Sequence, residues 1–530
     1  MFALVTLCAL FLLGMLTYHL FLVMRYRSLR GPDPEPASHW PEADLPHVTV
    51  QLPIYNEGEL AANILAHAAA LDYPHDRLEI QLLDDSDDGL TSDNASRKIA
   101  ELKKSHPDIR FQYFHRADRT GFKAGALRLG TENARGDYLA IFDADFNIPP
   151  DYLRRTIHFF RDPAIGAVQA RWDYANDNSW FFTRLQANKL DAHQMFEQTA
   201  RARSGLSAIF HGTAGIWRAQ ALLDSGGWDC LSEVEDVELT VRAAVKGWRV
   251  VYLDHYRLLS ELPESVLGFV RQQMRWKRGW TRVVLHYSLF ILRAPIPWRV
   301  RLDLLQRIQL SWGPICALVM TLGVLPYFMI AERIGMSLPA GMLYITSLTL
   351  SLIVRHYETK TLNEDPKLRA VLNLPRGLRF LPLSYLVLNL GMLWPLSQAT
   401  LEGFRPGQVW EVTPKSTTTK GSAGHFQQQG YGKIPGYVLG SLLLCSLGVL
   451  FAVLSMYLLF PLATLFYAMM AAGSGWIGWR LLKDVRVKKE QNQAVEGLEI
   501  KSEQHPASYK QSEKENKPHV PRQPAKGRRG

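Results

Sequence analysis

The chain has 530 residues, of which 47% are apolar and 21% are charged, and its formal net charge is +10. This length leaves room for two or three domains. The four cysteines show no paired spacing, which argues against a disulfide framework and against a zinc site. The positive charge lies largely beside apolar segments and in the C-terminal tail. A membrane surface explains that placement, so nucleic-acid binding is not predicted.

Apolar segments predict that much of the chain lies in a membrane. Residues 1–24 contain no charged side chain, and further apolar stretches cover 309–331, 338–354, 381–400 and 436–479. A bilayer-spanning helix needs roughly 20 such residues. Positive charge follows the first segment instead of preceding it, which favours an uncleaved anchor over a signal peptide. We therefore predict that residues 1–24 form a transmembrane anchor and that the chain enters the cytoplasm after it.

Between residues 47 and 255 the sequence alternates between strand-like and helix-like segments. Strands are predicted at 47–52, 78–83, 110–114 and 138–142, and helices near 57–70, 93–104 and 123–133. This alternation indicates an α/β sheet with helices on both faces. In such a sheet, ligands bind at the carboxyl ends of the strands. Polar or acidic clusters follow three of the predicted strands, so we expect a site at that edge.

Asp143 and Asp145 follow the fourth predicted strand and are the centre of the expected site. A diphosphate leaving group carries concentrated negative charge, and a hard cation with oxygen ligands neutralises it. The pair predicts a site for Mg²⁺ or Mn²⁺. Asp-x-Asp is a common pattern, and two solvated acids at a strand end would look the same. The assignment therefore depends on the other clusters.

Two further clusters have side chains that could bind the other parts of a nucleotide, namely its base or ribose and its phosphates. Asp84 and Asp85 follow the second strand and can accept hydrogen bonds from a base or a ribose. An acid-rich turn that caps itself has the same pattern. Lys123 precedes a helix and is followed by the small residues Ala124 and Gly125, which let the backbone approach a phosphate. An ordinary basic turn is the alternative there.

A further pair of acids, Glu235 and Asp236, opens a helix that ends at Gly247. A sugar hydroxyl that attacks an anomeric carbon must lose its proton to a positioned carboxylate, and Asp236 is the candidate base. Acids also favour the first turn of a helix because of the helix dipole alone. The pattern is thus compatible with either role.

Aromatic and cationic residues alternate over 272–280, just before an apolar segment. This pattern is typical of an interfacial membrane anchor. As part of a site, Trp276 would offer a flat face for a sugar ring, and Arg275 would offer a planar fork for phosphate.

Taken in order, these motifs resemble the membrane-embedded family-two glycosyltransferases. The resemblance is strongest to the cellulose synthase-like glucomannan and mannan synthases, and it extends more distantly to cellulose and hyaluronan synthases. Many matching motifs lie within residues 45–285, whereas the apolar half shows only a weak resemblance. The matching segments are 51–57, 83–86, 121–127, 141–146, 168–172, 211–218, 226–228, 235–236 and 272–276.

The resemblance implies a GT-A-type α/β nucleotide-sugar-binding domain, at residues 45–285, inserted between transmembrane helices. Site roles follow from it as well. Asp85 would contact the nucleoside, Asp143 and Asp145 the diphosphate and the metal, Gln272 and Arg275 the donor and its pyrophosphate, Trp276 the acceptor sugar, and Asp236 would be the base. The segment that begins with His211 and Gly212 would approach the acceptor.

The resemblance also suggests how the apolar half is arranged. Residues 286–482 would form a membrane domain in which 401–433 resembles a gating loop that covers the donor from the cytoplasmic side. Segment 381–400 would then be interfacial or re-entrant. We predict a multi-pass protein of the cell membrane with five crossings, a cytoplasmic catalytic domain and a cytoplasmic C-terminus. Residues 484–530 are polar and basic, and we predict that this tail is disordered.

The predicted function is inverting transfer of a hexose from a nucleotide sugar, UDP-glucose or GDP-mannose, to a growing β-linked glycan. That glycan would be a mannan, a glucomannan or a β-glucan, exported through the membrane domain. The alternative is a transferase that adds one or two sugars to a membrane lipid such as diacylglycerol or ceramide. A non-catalytic membrane scaffold is a third hypothesis, which the acids at every predicted cluster argue against.

Overall fold

The computed structural model describes residues 2–176, 180–229, 233–333, 339–364, 381–405, 435–458 and 461–504. Within them, one mixed sheet lies at the centre of residues 48–260. Its strands are β1 (Val48–Ile54), β2 (Leu78–Asp84), β3 (Arg110–His115), β4 (Tyr138–Ile141), β5 (Ile165–Tyr174), β6 (Gly215–Arg218) and β7 (Arg249–Ser260). Their order across the sheet is β3-β2-β1-β4-β6-β5-β7.

Helices surround this sheet and continue beyond it. Those of the described residues are α1 (Phe2–Leu29), α2 (Leu60–Ala69), α3 (Gly89–Ser105), α4 (Phe122–Glu132), α5 (Tyr152–Thr156), α6 (Phe181–Asp191), α7 (Thr199–Arg203), α8 (Ala219–Asp224), α9 (Glu235–Val245), α10 (Val266–Arg293), α11 (Trp298–Gln309), α12 (Gly313–Arg333), α13 (Pro339–Glu364), α14 (Leu381–Gly391), α15 (Leu393–Glu402), α16 (Gly436–Tyr457) and α17 (Pro461–Gln504). A π-helical segment, Ala192–Gln198, joins α6 to α7.

The first half of the sheet follows directly from the sequence pattern. β1 pairs in parallel with β2 and β4, and β2 pairs in parallel with β3. Helices cover both faces of a parallel sheet, and its strands therefore appear in the sequence as continuous runs of apolar residues. Every residue of β2 and β4 is buried. The predicted strands and connecting helices are confirmed here, with ends shifted by a few residues.

The second half of the sheet is organised around β6, which runs antiparallel to both β4 and β5. Ile141 at the end of β4 lies opposite Gly215 at the start of β6. The residues that follow β4 therefore lie beside the residues that precede β6. This register brings Asp143 next to Thr213, whose Oγ1 accepts a hydrogen bond from the Asp143 N–H at 2.9 Å.

Two helices carry the remaining predicted site residues. α9 begins at Glu235, and Gly247 just after it has a φ of +89°, the left-handed conformation that ends many helices. α10 runs for 28 residues, and the Ser265 side chain caps it by accepting from the Gly268 N–H. Gln272, Arg275 and Trp276 have the i, i+3, i+4 spacing that places side chains on one face of a helix.

Three helical stretches of the described residues are long and apolar enough to cross a membrane. They are Ala3–Leu29, Trp298–Tyr327 and Gly436–Tyr457. Segment 381–400 is divided into α14 and α15, of 11 and 10 residues, and each is shorter than the roughly 20 residues that a crossing requires. The five-crossing arrangement, the re-entrant segment and the cytoplasmic orientation stay predictions.

The C-terminal region differs from the sequence expectation. α17 continues to Gln504, whereas the sequence predicts a disordered tail from residue 484. The extra turns are rich in Lys, Glu and Gln, which are good helix formers, whereas the prediction of disorder is based on polarity and on the lack of aromatic residues. Residues 505–530, and all but the first five residues of the gating-like loop 401–433, lie outside the described residues.

The linker after α1 is fastened to the sheet by one carboxylate. Asp33 accepts hydrogen bonds from the backbone N–H groups of Asp254, His255 and Tyr256 at 2.7, 2.9 and 2.8 Å. These residues form an irregularity in the pairing of β7 with β5, so their N–H groups are not used by the sheet ladder. One side chain thus satisfies three backbone donors and fixes the path of the chain after α1.

We predict that Asp33→Ala destabilises the domain built on the sheet by about 1–2 kcal/mol, because three N–H groups lose a charged acceptor and gain only partial hydration. Thermal unfolding of the detergent-solubilised full chain measures this as a lower Tm. The control is Glu35→Ala in the same linker, where the side chain is exposed. Equal Tm values for the two variants would contradict the role of Asp33.

Candidate active site

A cavity of about 310 Å³ opens at the carboxyl edge of the sheet. Its lining includes ten of the eleven residues that the sequence predicts for the site. They are Asp85, Lys123, Asp143, Asp145, His211, Gly212, Asp236, Gln272, Arg275 and Trp276. These residues come from six separate parts of the chain, and their convergence in one cavity is the main observation about the site.

Lys123 joins three of these parts. Its Nζ donates to Asp143 Oδ1 at 2.5 Å and to the Gly212 carbonyl at 2.9 Å. The Lys123 side chain is 15% exposed and that of Asp143 is 35% exposed. Burial disfavours the charged ammonium, but Asp143 and the acids at the start of α9 raise the pKa of Lys123, so it stays cationic. The Asp143 carboxylate is thereby held at the cavity wall.

Asp143 and Asp145 fit the hard cation that the sequence predicts. In the described part of the chain, no group of three or more His, Cys, Asp or Glu side chains forms a ready-made metal site. Mg²⁺ is commonly bound through one or two carboxylates together with substrate phosphates. Two carboxylates on one cavity wall supply such a partial donor set, and Lys123 beside them suits the same phosphates.

Asp85 is held at the cavity by a bidentate ion pair. Arg116 donates from Nε to Asp85 Oδ1 and from Nη2 to Oδ2, both at 2.6 Å. The same guanidinium donates to the Phe122 carbonyl at 2.9 Å and so connects Asp85 to the first turn of α4, which also carries Lys123. Arg116 does not line the cavity but holds Asp85 in place, and the sequence analysis missed it.

Asp84 is the exception, and the prediction that it contacts the donor needs correction. Its side chain is fully buried and does not line the cavity. It accepts hydrogen bonds from the Ser86 N–H, the Ser92 hydroxyl and the Tyr113 hydroxyl at 2.7–2.8 Å. Successive residues of a strand point to opposite faces, so Asp84 turns inward where Asp85 turns to the cavity. Asp84 therefore shapes the turn.

Asp236 lies against the backbone of Gly212. A Cβ atom built on Gly212 would be 3.1 Å from Asp236 Oδ2, and Gly212 has a φ of +77°. Burial, and then the neighbouring carboxylate of Glu235, raise the pKa of Asp236 to about 7. Burial raises the pKa of Glu235 as well. A carboxylate with a pKa near neutrality can take up a proton and release it again.

The segment that carries Asp236 packs closely on α10. Gly279 has no side chain, and a Cβ there would be 2.8 Å from Val234 Cγ1. Glu233 accepts from Arg278 Nε at 3.4 Å, and Arg278 Nη1 donates to Glu402 of α15 at 3.3 Å. These contacts fix the segment that carries Asp236 relative to the α10 face that presents Gln272, Arg275 and Trp276. The sequence shows Arg278 and Gly279 but does not reveal this packing.

Another wall of the cavity is formed by residues that the sequence analysis did not assign. It consists of Trp172 and Tyr174 at the end of β5, together with His193 and Gln194 of the π-helical segment. The His211 ring meets the Trp172 ring edge-on, with 5.4 Å between their centroids. Trp172 lies in a motif already singled out in the sequence. His193 and Gln194 carry no sequence signal, because their position depends on the wider helical turn.

Residues 46–279 match the family model described as "Glycosyltransferase like family 2". This part of the chain is therefore similar to glycosyltransferases of family two, in agreement with the mixed sheet and the cavity at its edge. The predicted GT-A-type α/β class and the predicted family resemblance are confirmed.

Curated plant proteins are similar to the same part of the chain. "Probable glucomannan 4-beta-mannosyltransferase 9" of Oryza sativa subsp. japonica is 38% identical over 288 residues, which cover 50% of this chain and 54% of the relative. "Glucomannan 4-beta-mannosyltransferase 7" of Arabidopsis thaliana is 39% identical over 256 residues, covering 48% and 46%. The chain thus spans about half the length of these relatives.

A solved structure is also similar, namely the mannosyltransferase PcManGT from Pyrobaculum calidifontis in complex with GDP-Man and Mn²⁺. The TM-score is 0.49 at 20% sequence identity, and the alignment covers 76% of this chain and 98% of that one.

We predict that Gly212→Ala lowers the transfer rate by about tenfold or more, because the new Cβ displaces the Asp236 carboxylate from its position. Donor binding should change little. The matched control is Gly205→Ala, since Gly205 has a similar φ of +70° but open space around its Cα. If both variants lose activity equally, backbone strain accounts for the effect and the contact with Asp236 does not.

Proposed function

We propose that the protein transfers a hexose from a nucleotide sugar to the end of a β-linked glycan, with inversion at the anomeric carbon. Mannosyl transfer from GDP-mannose into a β-1,4-linked mannan or glucomannan is the preferred case, because the curated relatives carry that name. The observation that carries the proposal is the single cavity in which Asp85, the Asp143/Asp145 pair, Asp236 and the α10 face meet.

On the donor side, the residues form a sequence of contacts from nucleoside to diphosphate. Asp85, fixed by Arg116, would accept hydrogen bonds from the nucleoside. Lys123 and Arg275 would bind the diphosphate oxygens, and the planar Arg275 suits a bidentate contact. Asp143 and Asp145 would hold a divalent cation, Mg²⁺ or Mn²⁺, which when bound neutralises charge on the departing diphosphate.

On the acceptor side, Trp276 would stack on the terminal sugar of the glycan. Asp236 would accept the proton of the attacking hydroxyl as the new bond to the anomeric carbon forms and the bond to the diphosphate breaks. The raised pKa of Asp236, caused first by burial and then by Glu235, suits a base that operates near neutral pH. Attack on the face opposite the leaving group would convert an α-linked donor into a β-linked product.

We further propose that the membrane helices receive the product. α10 carries the cavity face at Gln272, Arg275 and Trp276, and it packs on α15. The catalytic domain is therefore joined to the apolar half next to the site itself. Export of the glycan through that half, and a cytoplasmic catalytic domain in a cell membrane, belong to the same proposal.

The direct test is transfer by membrane vesicles that contain the full chain, with Mg²⁺ or Mn²⁺ and radiolabelled GDP-mannose or UDP-glucose. We expect a high-molecular-weight product from GDP-mannose that β-mannanase digests. The matched control contains EDTA. A labelled product that partitions with lipids would support the glycolipid alternative, and a polymer made only from UDP-glucose and digested by cellulase would replace mannan by β-glucan.

We predict that Asp236→Asn lowers the transfer rate by about 100-fold or more, because the amide cannot accept the hydroxyl proton. The change is isosteric, so binding of the nucleotide sugar should stay within about twofold of the wild-type affinity. Donor binding and transfer would be measured on the same preparation. Near-normal transfer by this variant would show that the base is another residue.

We predict that the rate at low acceptor concentration rises with pH and levels off above about 7, because Asp236 must be ionised to act and its pKa is raised to about 7. Glu235→Gln removes the neighbouring negative charge that helps to raise this pKa. The rising limb should then move to lower pH. A pH profile that is flat in both proteins would contradict the assignment.

A further inference from the structure

An arginine without an anionic partner lies at the cavity. Arg119, in the loop between β3 and α4, lines the cavity together with Tyr55 and Asp85. Its guanidinium group makes no ion pair and no hydrogen bond with any residue that the structure describes. Of its three nitrogen atoms only Nε is shut off from solvent, so the terminal N–H groups can meet a ligand. Lys123, by contrast, is already paired with Asp143.

The aromatic ring of Tyr55 fixes the plane of this guanidinium group. Arg119 Cζ lies 3.3 Å from the centroid of the Tyr55 ring. At this separation the two planar groups must stack face to face, because a tilted guanidinium would press a nitrogen into the ring. Stacking uses the face of the guanidinium and leaves the N–H donors in its plane free to bond. Arg119 therefore presents a planar fork on a wall of the cavity.

The Tyr55 ring is itself anchored to the turn that follows β2. Its hydroxyl donates to Asp87 Oδ2 at 3.3 Å. Asn56, the next residue, donates from Nδ2 to Asp87 Oδ1 at 2.7 Å, and its own Oδ1 accepts from the Asp87 N–H at 3.1 Å. The platform under Arg119 is thus held by the ends of two adjacent strands, β1 and β2.

The loop that carries Arg119 is folded around Arg116, the residue that holds Asp85 in place. Besides its ion pair with Asp85, Arg116 donates to the carbonyl groups of Thr120 and Phe122 at 3.2 and 2.9 Å. The Phe122 N–H donates to the Arg119 carbonyl at 2.8 Å and closes a turn. One arginine therefore sets the positions of both Asp85 and the loop that carries Arg119, and the two belong to the same end of the cavity.

Charge interactions separate Arg119 from the cations that the proposed function assigns to the diphosphate. Burial raises the pKa of Glu235, and the charges of Lys123 and Arg275 oppose that rise. Arg119 acts on a different group, because burial raises the pKa of Tyr55 and the Arg119 charge opposes that rise. The diphosphate region thus has cations of its own, and Arg119 lies where the proposed function places the nucleoside.

A guanidinium fork at this place distinguishes between nucleobases. Guanine presents two adjacent acceptors, N7 and O6, along one edge, and a planar guanidinium can donate to both at once. Adenine has an amino donor in place of O6, so a donor would face a donor. Uracil offers the single acceptor O4 on the corresponding edge. Of these three bases, guanine alone satisfies both donors of the fork.

We propose that Arg119 selects a guanine nucleotide as the donor, by donating hydrogen bonds to N7 and O6 of the base. The inference deepens the proposed function and rests on it for the binding of the nucleoside at Asp85. Because the Tyr55 ring already fixes the guanidinium, little side-chain freedom is lost when the base binds. Arg119 is therefore a specificity-determining residue that acts on the choice of donor.

The first test measures nucleotide binding to the detergent-solubilised full chain with Mg²⁺, by isothermal titration calorimetry. We expect the wild type to bind GDP about tenfold or more tightly than UDP, and Arg119→Ala to reduce this ratio to about threefold or less by weakening GDP binding. The matched control is Arg128→Ala, an exposed arginine of α4, which should keep the wild-type ratio. Equal weakening of GDP and UDP, or a wild type that prefers UDP, would overturn the proposal.

The second test removes an acceptor from the base. 7-Deaza-GDP has a C–H group in place of N7 and keeps O6. We expect the wild type to bind it about tenfold more weakly than GDP, and Arg119→Ala to bind the two ligands equally within about twofold. This non-additive loss requires a direct contact, and a merely structural role of Arg119 would not produce it. A wild type that binds both ligands equally well would contradict the assignment.

A third measurement asks whether Arg119 contacts the phosphates instead. Magnesium pyrophosphate carries the phosphate charge without a base. We expect its affinity to be the same within about twofold in the wild type and in Arg119→Ala, because the contact is to the base. A loss of affinity of about tenfold in the variant would assign Arg119 to the diphosphate and overturn the proposal.

The binding measurements also separate this inference from the proposed function, since they require no transfer. Transfer by membrane vesicles, together with an unchanged GDP preference in Arg119→Ala, would refute the inference and leave the proposed function standing. Loss of the GDP preference in that variant, with no transfer from either nucleotide sugar in the wild type, would support the inference and count against the proposed function. A wild type that binds neither nucleotide would overturn both.

Discussion

The ion pair between Lys123 and Asp143 is the interaction on which the site depends. The ammonium group also donates to the Gly212 carbonyl, so one side chain connects the start of α4, the end of β4 and the segment before β6. Each of these segments carries another part of the site. Because the pair is partly enclosed, its attraction is screened less than it would be in water, and it fixes Asp143 and Gly212 relative to the start of α4.

The electrostatics of the cavity follow from how its charges are distributed. Carboxylates converge from β4 and from α9, and cations come from α4 and α10. Without Lys123 and Arg275, the acids would repel one another in a partly dehydrated space. Burial leaves Asp236 with a raised pKa, whereas the neighbouring carboxylates keep Lys123 charged in spite of its burial. These charges suit the proposed reaction, in which a polyanionic donor would bind on one side and a neutral hydroxyl would lose a proton on the other.

The catalytic domain and the apolar half are built as one unit around this cavity. α10 supplies a cavity wall and then packs on α11 and α15, while the π-helical segment supplies another wall and contacts α1. Buried ion pairs such as Arg201 with Asp303 fix these contacts more by geometry than by net stability, because desolvation offsets much of their attraction. A substitution in the apolar half can therefore alter the site without contacting a substrate.

The sequence by itself predicted the α/β class, the family resemblance and ten residues that line the cavity, because strand ends and helix starts are local features that bear recognisable motifs. It could not separate Asp84 from Asp85, since a one-residue difference in strand phase decides which side chain faces the cavity. Only the tertiary structure decided that β6 runs antiparallel beside β4, and that Arg116 and Glu233 hold residues of the cavity in place. Those assignments depend on contacts between residues far apart in the chain, and no local pattern encodes them.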